Sequence, residues 1–291
     1  MNTRRYKLLS DFQKVYEFLQ QQYDMHHLNS YFLPQFFEYA QTHPLFSHYQ
    51  AHRMQIIEQD DRIVGFVGYE MKPGEAYLVH DKDHSSLLPM MLKLAEEEIS
   101  IVKDGQRVLY VWVVDHEKEK IELLNESGYA LIDDEDITIF DYEQPFVESI
   151  LPEGFSAISL EEENDLIKIN ECLWKGFDHE GEPDDDLDGR WIMQSGPHFD
   201  KHLTTIIKAP NGDYACYAGM WVDTHNHYAY LEPLATMPAY RKLGLATCAL
   251  SEGIKKTKAY GATYCFGGSV GYYEKIGFKT IAKRQVYKKV F

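Results

Sequence analysis

The sequence predicts a mixed α+β protein built as two tandem domains, each a mixed, largely antiparallel twisted sheet flanked by helices. Three observations point there. The 291 residues reach the size at which one hydrophobic core tends to split in two. In the second half, apolar strands come first as a hairpin and then alternate with helical stripes, the order of a mixed sheet. Two short islands of the first half also recur, in the same order, in the second.

Those islands set the organisation. Ala76-Tyr77-Leu78-Val79 matches Ala229-Tyr230-Leu231-Glu232 at an offset of 153, and Leu123–Tyr129 matches Tyr272–Phe278 at an offset of 149. Near-equal offsets in one order indicate duplication. Pro145 and Pro152 bracket a short segment between the copies, so the domains are expected at 1–146 and 151–291.

In the first copy, residues 52–71 read as a hairpin of alternating strands, Leu87–Ile101 as a helix and Val108–Val114 as a buried strand. In the second, Gly154–Leu160 is a strand and Glu161–Phe177 a helix with Leu166, Ile169, Asn170, Leu173 and Phe177 inward. Asp188–Ser195 is a short helix. Leu203–Ile207 and Tyr214–Val222 form a hairpin around Asn211-Gly212, a strong turn dipeptide. Tyr228–Leu234 is a strand, Leu243–Tyr260 the main helix, Thr263–Phe266 a strand, Val270–Ile276 a helix and Phe278–Phe291 the closing strands. The main helix buries Ala246, Ala249, Leu250, Gly253, Ile254 and Thr257 on one face, with Gly261 as its stop signal.

Composition narrows the function. The net charge of −17 is unevenly spread: residues 1–150 hold 13 Lys+Arg against 27 Asp+Glu, residues 151–240 hold 5 against 17, and residues 241–291 hold 11 against 2. Such an acidic molecule disfavours nucleic acid as a partner. The basic final segment suits a local anionic ligand, or is a set of solvated strand faces. No apolar run approaches the roughly 18 residues needed to span a membrane, and Met1–Lys7 has no apolar stretch behind it to make a signal peptide. The scattered Cys172, Cys216, Cys248 and Cys265 form neither a disulfide framework nor a zinc motif, and a cytoplasmic protein is expected. No metal site is expected: His225-Asn226-His227 lacks further ligands, and His116-Glu117-Lys118-Glu119-Lys120 lacks the second histidine of a zinc-protease helix.

The most informative stretch runs from Leu231 to Ala246. An apolar strand passes through a turn marked by Pro238 into a glycine-bearing helix start, where unpaired amides and the helix dipole can hold a phosphate. Arg241-x-x-Gly244-x-Ala246 resembles the pyrophosphate loop of the GCN5-related N-acetyltransferase (GNAT) family. The preceding Glu232-Pro233-Leu234-Ala235-Thr236 and the later Tyr272-Tyr273-Glu274-Lys275-Ile276-Gly277-Phe278 also look like that family's segments, in order and spacing, over roughly 151–291. The resemblance implies tandem GNAT-like domains with acetyl-CoA as cosubstrate. It implies that Arg241, Lys242, Leu243, Gly244, Leu245, Ala246 and Thr247 hold the pyrophosphate, and that Leu234, Ala235 and Thr236 hydrogen-bond the thioester arm like an added strand. The family's upstream asparagine is missing from Gly267–Gly271, so that contact falls to Ser269.

Acyl transfer to an amine needs a neutral amine and a protonated leaving thiolate. An alkylamine titrates near 10.4, so a base must take its proton. Glu232 is the candidate, unless it is a strand glutamate in an ion pair. Pro233 cannot donate to a ladder, so pairing must be interrupted beside it. Tyr273, a phenol that stays protonated at neutral pH, would protonate the thiolate; the alternative, in a chain with 21 tyrosines, is a packed aromatic. In the first copy Glu232 corresponds to Val79, Tyr273 to Leu124, and the loop to Asp81-Lys82-Asp83-His84-Ser85-Ser86, which marks a degenerate, non-catalytic domain. The acidic run Glu180–Asp188 falls between the first two helices of the second copy, where the resemblance implies the acceptor wall, and suits a cationic amine, or is a solvated loop. The reading is therefore a CoA-dependent N-acyltransferase acting on a small-molecule amine, as a monomer or homodimer. A CoA-binding sensor without turnover and an aminoacyl-tRNA-dependent transferase are the alternatives.

Overall fold

The computed structural model describes residues 1–147, 149–185, 187–268 and 271–291. The chain divides into two compact units, Met1–Ile137 with Ala282–Phe291, and Thr138–Ile281.

The first unit opens with β1 (Asn2–Arg5), α1 (Leu8–Gln21) and α2 (Pro34–Thr42). Two local signals start these helices. The Asp11 carboxylate accepts the Lys7 amide at 2.7 Å and pairs with Arg4, and Pro34 sits in the first turn of α2, where a missing N–H costs nothing. Then come β2 (Gln55–Gln59), β3 (Arg62–Gly68), β4 (Glu75–His80), α3 (Leu88–Leu94), β5 (Ile101–Lys103), β6 (Gln106–Val114) and α4 (Lys118–Glu126). The expected helix Leu87–Ile101 is shorter: α3 widens into a single π-helical turn over Ala95–Ile99, and β-branched Ile101 and Val102 pair with β6 instead. β7 (Ala130–Asp141) follows, and its residues 138–141 belong to the second unit.

The second unit continues with β8 (Ser156–Ser159), α5 (Leu166–Gly176), α6 (Asp188–Met193), β9 (Thr205–Lys208), β10 (Tyr214–Asp223), β11 (Tyr228–Thr236), α7 (Leu245–Ala259), β12 (Tyr264–Gly267) and α8 (Tyr272–Lys275). The chain ends in β13 (Lys279–Val290), one twelve-residue strand where several closing strands were expected. The helix expected from Glu161 starts at Leu166, because Asp165 caps it, its carboxylate accepting the Ile167 and Lys168 amides.

The two sheets share one topology. In the first unit, β1, β2, β3 and β4 are antiparallel neighbours, β6 runs parallel to β4, and residues 284–290 of β13 pair antiparallel with β6. In the second, β8, β9, β10 and β11 are antiparallel, β12 runs parallel to β11, and residues 138–141 of β7 pair antiparallel with β12. The sixth strand of the first unit is thus the end of the chain, and that of the second is the segment from Thr138. The units depart from the ranges 1–146 and 151–291 at these two strands. Apolar clusters fill both faces of the second sheet. One joins Leu245, Ala249, Leu250 and Ile254 of α7 to Ala218, Met220 and Leu231, and another joins Ile169, Cys172 and Leu173 of α5 to Ile206, Tyr214 and Tyr217.

Candidate functional site

The site lies in the second unit, where two parallel strands part. β11 and β12 pair only from Tyr228↔Tyr264 to Tyr230↔Phe266, whereas β11 runs on to Thr236. Its other edge stays paired with β10 at Leu234, Ala235 and Thr236, across a register shift between Ala218 and Met220 that lies opposite Glu232 and Pro233. The interruption expected from Pro233 is therefore this bulge. Beyond Tyr230, one edge of β11 has no strand partner among the described residues, which is the geometry for an added extended chain.

Two residues of β10 hold the bulge. The Trp221 indole donates to the Glu232 carbonyl at 2.9 Å. Gly219 leaves room for that carbonyl: a Cβ there would sit 2.6 Å from the Glu232 oxygen and 3.0 Å from the Pro233 ring. Neither the Trp221 contact nor the role of Gly219 was anticipated from the sequence. Without the bulge register, nothing in the sequence signals either contact.

Glu232 is half-buried on β11, and Tyr273 is half-buried on α8. The structure brings the two together: burial first, and then the Glu232 charge, push the Tyr273 phenol well above its ordinary range. The phenol therefore remains a proton donor across the neutral range. Its oxygen accepts the Gly268 amide, and its ring stands edge-on to Phe278 and Tyr272, at 5.2 and 5.3 Å between centroids. Gly267 and Gly268 make this seat possible, since a Cβ on either would meet the Tyr273 ring at 2.9 or 2.6 Å. Tyr272, next to it, reaches the first turn of α7, its hydroxyl 3.1 Å from Thr247 Oγ1, and burial pushes its phenol up to about 12. Ser269 lies outside the described residues.

The loop from β11 to α7 has the expected form. Pro238–Tyr240 makes a short helical turn, Lys242 has φ +65°, and Gly244 precedes α7 with φ +77°. No side chain caps α7, so its entry at Leu245, Ala246 and Thr247 offers amides and the positive end of the dipole. Lys242, Leu243 and Gly244 are exposed beside it. Arg241 is engaged elsewhere: its guanidinium donates to the Gly176 carbonyl at 2.9 Å and the Thr236 carbonyl at 3.2 Å, and pairs with Asp178. It thus caps the carbonyl end of α5. Ser149, from the segment before β8, hydrogen-bonds the Gly244 carbonyl at 3.3 Å.

The acidic run lines cavities beside α5. One of about 540 Å³ is bounded by Glu171, Lys175, Asp178, His179, Glu180 and Asp213, its acids outnumbering its one ammonium, and one of about 360 Å³ by Glu171, Glu182, Asp184 and Asp185. The Trp174 indole fixes the loop by donating to the Gly181 carbonyl at 3.1 Å. The described residues hold no group of His, Cys, Asp and Glu that could hold a metal ion, and no helix long and apolar enough to cross a membrane. The four cysteines are free and buried.

Residues 164–278 match the model of the Acetyltransferase (GNAT) family. Over its whole length the chain is similar in structure to a GCN5-related N-acetyltransferase from Sphaerobacter thermophilus (14% identity, 99% of this chain and 95% of that one, TM-score 0.61). It is also similar to a GNAT-family acetyltransferase from Colwellia psychrerythraea (13% identity, 99% of each chain, TM-score 0.59). A tandem GNAT protein from the clavulanic acid biosynthesis pathway superposes over 99% of this chain and 98% of its own, at 12% identity and TM-score 0.60. No curated protein matches the sequence. The tandem fold expected from the repeat is the fold of these two-domain proteins.

Proposed function

We propose, from the premise that residues 164–278 form a GNAT-family acetyltransferase domain, that this chain is a CoA-dependent N-acyltransferase. It moves the acetyl group of acetyl-CoA to the primary amine of a small, cationic acceptor, by direct attack within a ternary complex. The observation that carries the reading is the meeting, in one unit, of the unpaired β11 edge, the uncapped entry to α7, and the electrostatically coupled Glu232 and Tyr273.

The division of labour follows from geometry. The free edge of β11 at Leu234–Thr236 takes the pantetheine arm by main-chain hydrogen bonds, and the amides of Leu245, Ala246 and Thr247 take the pyrophosphate. Lys242 adds positive charge there, and Arg241 braces the loop against α5. Glu232 accepts the proton of the acceptor ammonium, directly or through water, so that the neutral amine attacks the thioester carbonyl. As the carbon–sulfur bond breaks, the electron pair goes to sulfur, the Tyr273 hydroxyl supplies its proton, and the second proton lost by the acceptor nitrogen returns to the phenolate, directly or through water. An ordinary phenol is the weaker acid by roughly 1.5 units against a thiol near 8.5, and burial widens that gap, so the transfer runs uphill and is completed when the phenolate is reprotonated. The acidic walls of the cavities beside α5 favour a cation.

The first unit has no counterpart of Glu232 or Tyr273 and serves as a non-catalytic partner domain. The test is thiol release from acetyl-CoA against a panel of primary amines. Tyr273→Phe should lower kcat by about 10²-fold or more with the KM for acetyl-CoA little changed, and Glu232→Gln should fall similarly. Full turnover in both variants overturns the assignment. Tight acetyl-CoA binding with no turnover on any amine would leave a CoA-binding sensor instead.

A further inference from the structure

We propose that Tyr272 is a positioning residue, which ties the seat of the cofactor phosphate to the seat of the proton donor. Its hydroxyl donates to Thr247 Oγ1, the Thr247 proton is thereby left for a phosphate oxygen, and the same bond fastens the helix that carries Tyr273. The inference rests on the acetyl-CoA reading and adds a residue to it.

Helix α8 cannot hold its own place. It has four residues, Tyr272–Lys275, and a single turn is too short to be stable through its backbone bonds. Side chains must fix it. Ile276 and Phe278, just beyond it, are buried in the apolar cluster that contains Leu245 and Cys248 of α7, and Tyr273 packs against that cluster. Tyr272 keeps 36% of its surface exposed, yet sends its hydroxyl to 3.1 Å from Thr247 Oγ1. Thr247 is buried in the first turn of α7. Among the described residues, this is the side-chain hydrogen bond that joins the two helices.

The protons of the pair do not balance within it. A phenol titrating near 12 and an aliphatic alcohol are both protonated at neutral pH. The two oxygens therefore carry two protons, and their mutual bond uses one. Neither hydroxyl has another hydrogen-bond partner among the described residues. The phenol is the more acidic of the two, so it is the better donor and the alcohol oxygen the better acceptor. The unused proton then belongs to Thr247. Around it α7 offers more donors: no side chain caps the helix, and the amides of Leu245, Ala246 and Thr247 precede its first backbone bond, from Cys248 to Gly244. The complement of such convergent donors is an anionic oxygen, which the cofactor's pyrophosphate supplies.

The two hydrogen bonds reinforce each other. When Thr247 donates to a phosphate, its oxygen gains electron density and accepts more strongly from Tyr272, because linked hydrogen bonds polarise one another. Tyr272 and Tyr273 are adjacent, and their rings meet edge-on at 5.3 Å between centroids. Holding the one holds the other. Binding energy from the phosphate, remote from the reacting thioester, is thus spent on placing the acid.

The test compares acetyl-CoA with S-acetylpantetheine, which has the same thioester arm and no pyrophosphate, on an amine that the parent accepts. In the full chain, Tyr272→Phe should cut the preference for acetyl-CoA, the ratio of the two kcat/KM values, by about fivefold or more. Loss of a merely structural contact would lower both rates alike and leave the ratio in place. Thr247→Val removes the other hydroxyl at similar volume and should cut the ratio at least as far. Tyr272→Phe/Thr247→Val should fall no further than Thr247→Val alone. Calorimetric Kd values for CoA across the same four proteins read the coupling without turnover, and should show the same failure to add. An unchanged ratio in Tyr272→Phe, or additive effects on Kd, would overturn the inference; if the parent still acetylates, the acetyltransferase reading stands. A parent that neither binds acetyl-CoA nor releases thiol removes that reading, and this inference with it.

Discussion

At the residue scale, the chemistry depends on a few positions whose surroundings change their behaviour. Tyr273 is one of many tyrosines, yet among the described residues it alone combines a glycine-lined seat, a backbone amide on its oxygen and the Glu232 charge. Trp221 acts through Glu232, so Trp221→Phe removes one hydrogen bond, worth about 1 kcal/mol, and loosens the bulge. A several-fold loss in kcat is expected, with the KM for acetyl-CoA unchanged; steady-state kinetics decide it. In the first unit, burial and the neighbouring Glu75 carboxylate push Glu70 up to about 7. Its folded state holds the proton more tightly than the unfolded state. That stabilisation is therefore complete below about pH 4.5 and is lost as pH rises through about 7. Glu70→Gln should be more stable than the parent at pH 8, by about 2 kcal/mol, and equal to it near pH 4. Denaturant melts across that range measure this, and Glu75, shifted upward for the same first reason, leaves a residual slope.

At the element scale, the entry to α7 was legible because its signals are local. A proline turn and a glycine within sixteen residues, and the apolar helical stripe that follows directly, specify strand, loop and helix together. Gly244 is required there twice over: its φ of +77° strains any other residue, and a Cβ would approach Ser149 Oγ to 2.6 Å. Gly244→Ala should raise the acetyl-CoA Kd by about tenfold and lower the melting temperature by a few degrees; calorimetric titration and a thermal melt read both. The misjudged elements were those whose limits are tertiary. α5 begins where Asp165 caps it, and Ile101 leaves the helix because β6 offers a partner. Helices α1 and α2 were not anticipated, although an apolar stripe buries Val15, Phe18 and Leu19 on the first of them.

At the scale of the whole molecule, duplication was visible in two short islands, and the shared strand order of both units bears out the repeated architecture. The division of the chain was not visible. Residues 138–141 complete the second sheet against Tyr264–Gly267, while residues 284–290 complete the first against Val108–Val114. A fragment 151–291 therefore lacks one edge of its own sheet and carries a strand that pairs elsewhere. It should be poorly folded by circular dichroism and prone to aggregate through unpaired strands, whereas a fragment 138–281 should fold cooperatively and retain acetyl-CoA binding. Equal stability of the two fragments would contradict this division.

By itself, the sequence determined the mixed α+β class, the tandem repeat and the strand–loop–helix passage from β11 to α7, because periodicity, turn chemistry and motif spacing act over a few residues. Only the tertiary structure decided that Arg241 braces α5, that Trp221 and Gly219 shape the bulge at Glu232, and that each sheet ends on a strand distant in sequence. Those outcomes depend on which edge or carbonyl lies near in space, and strand pairing carries no local mark of its distant partner.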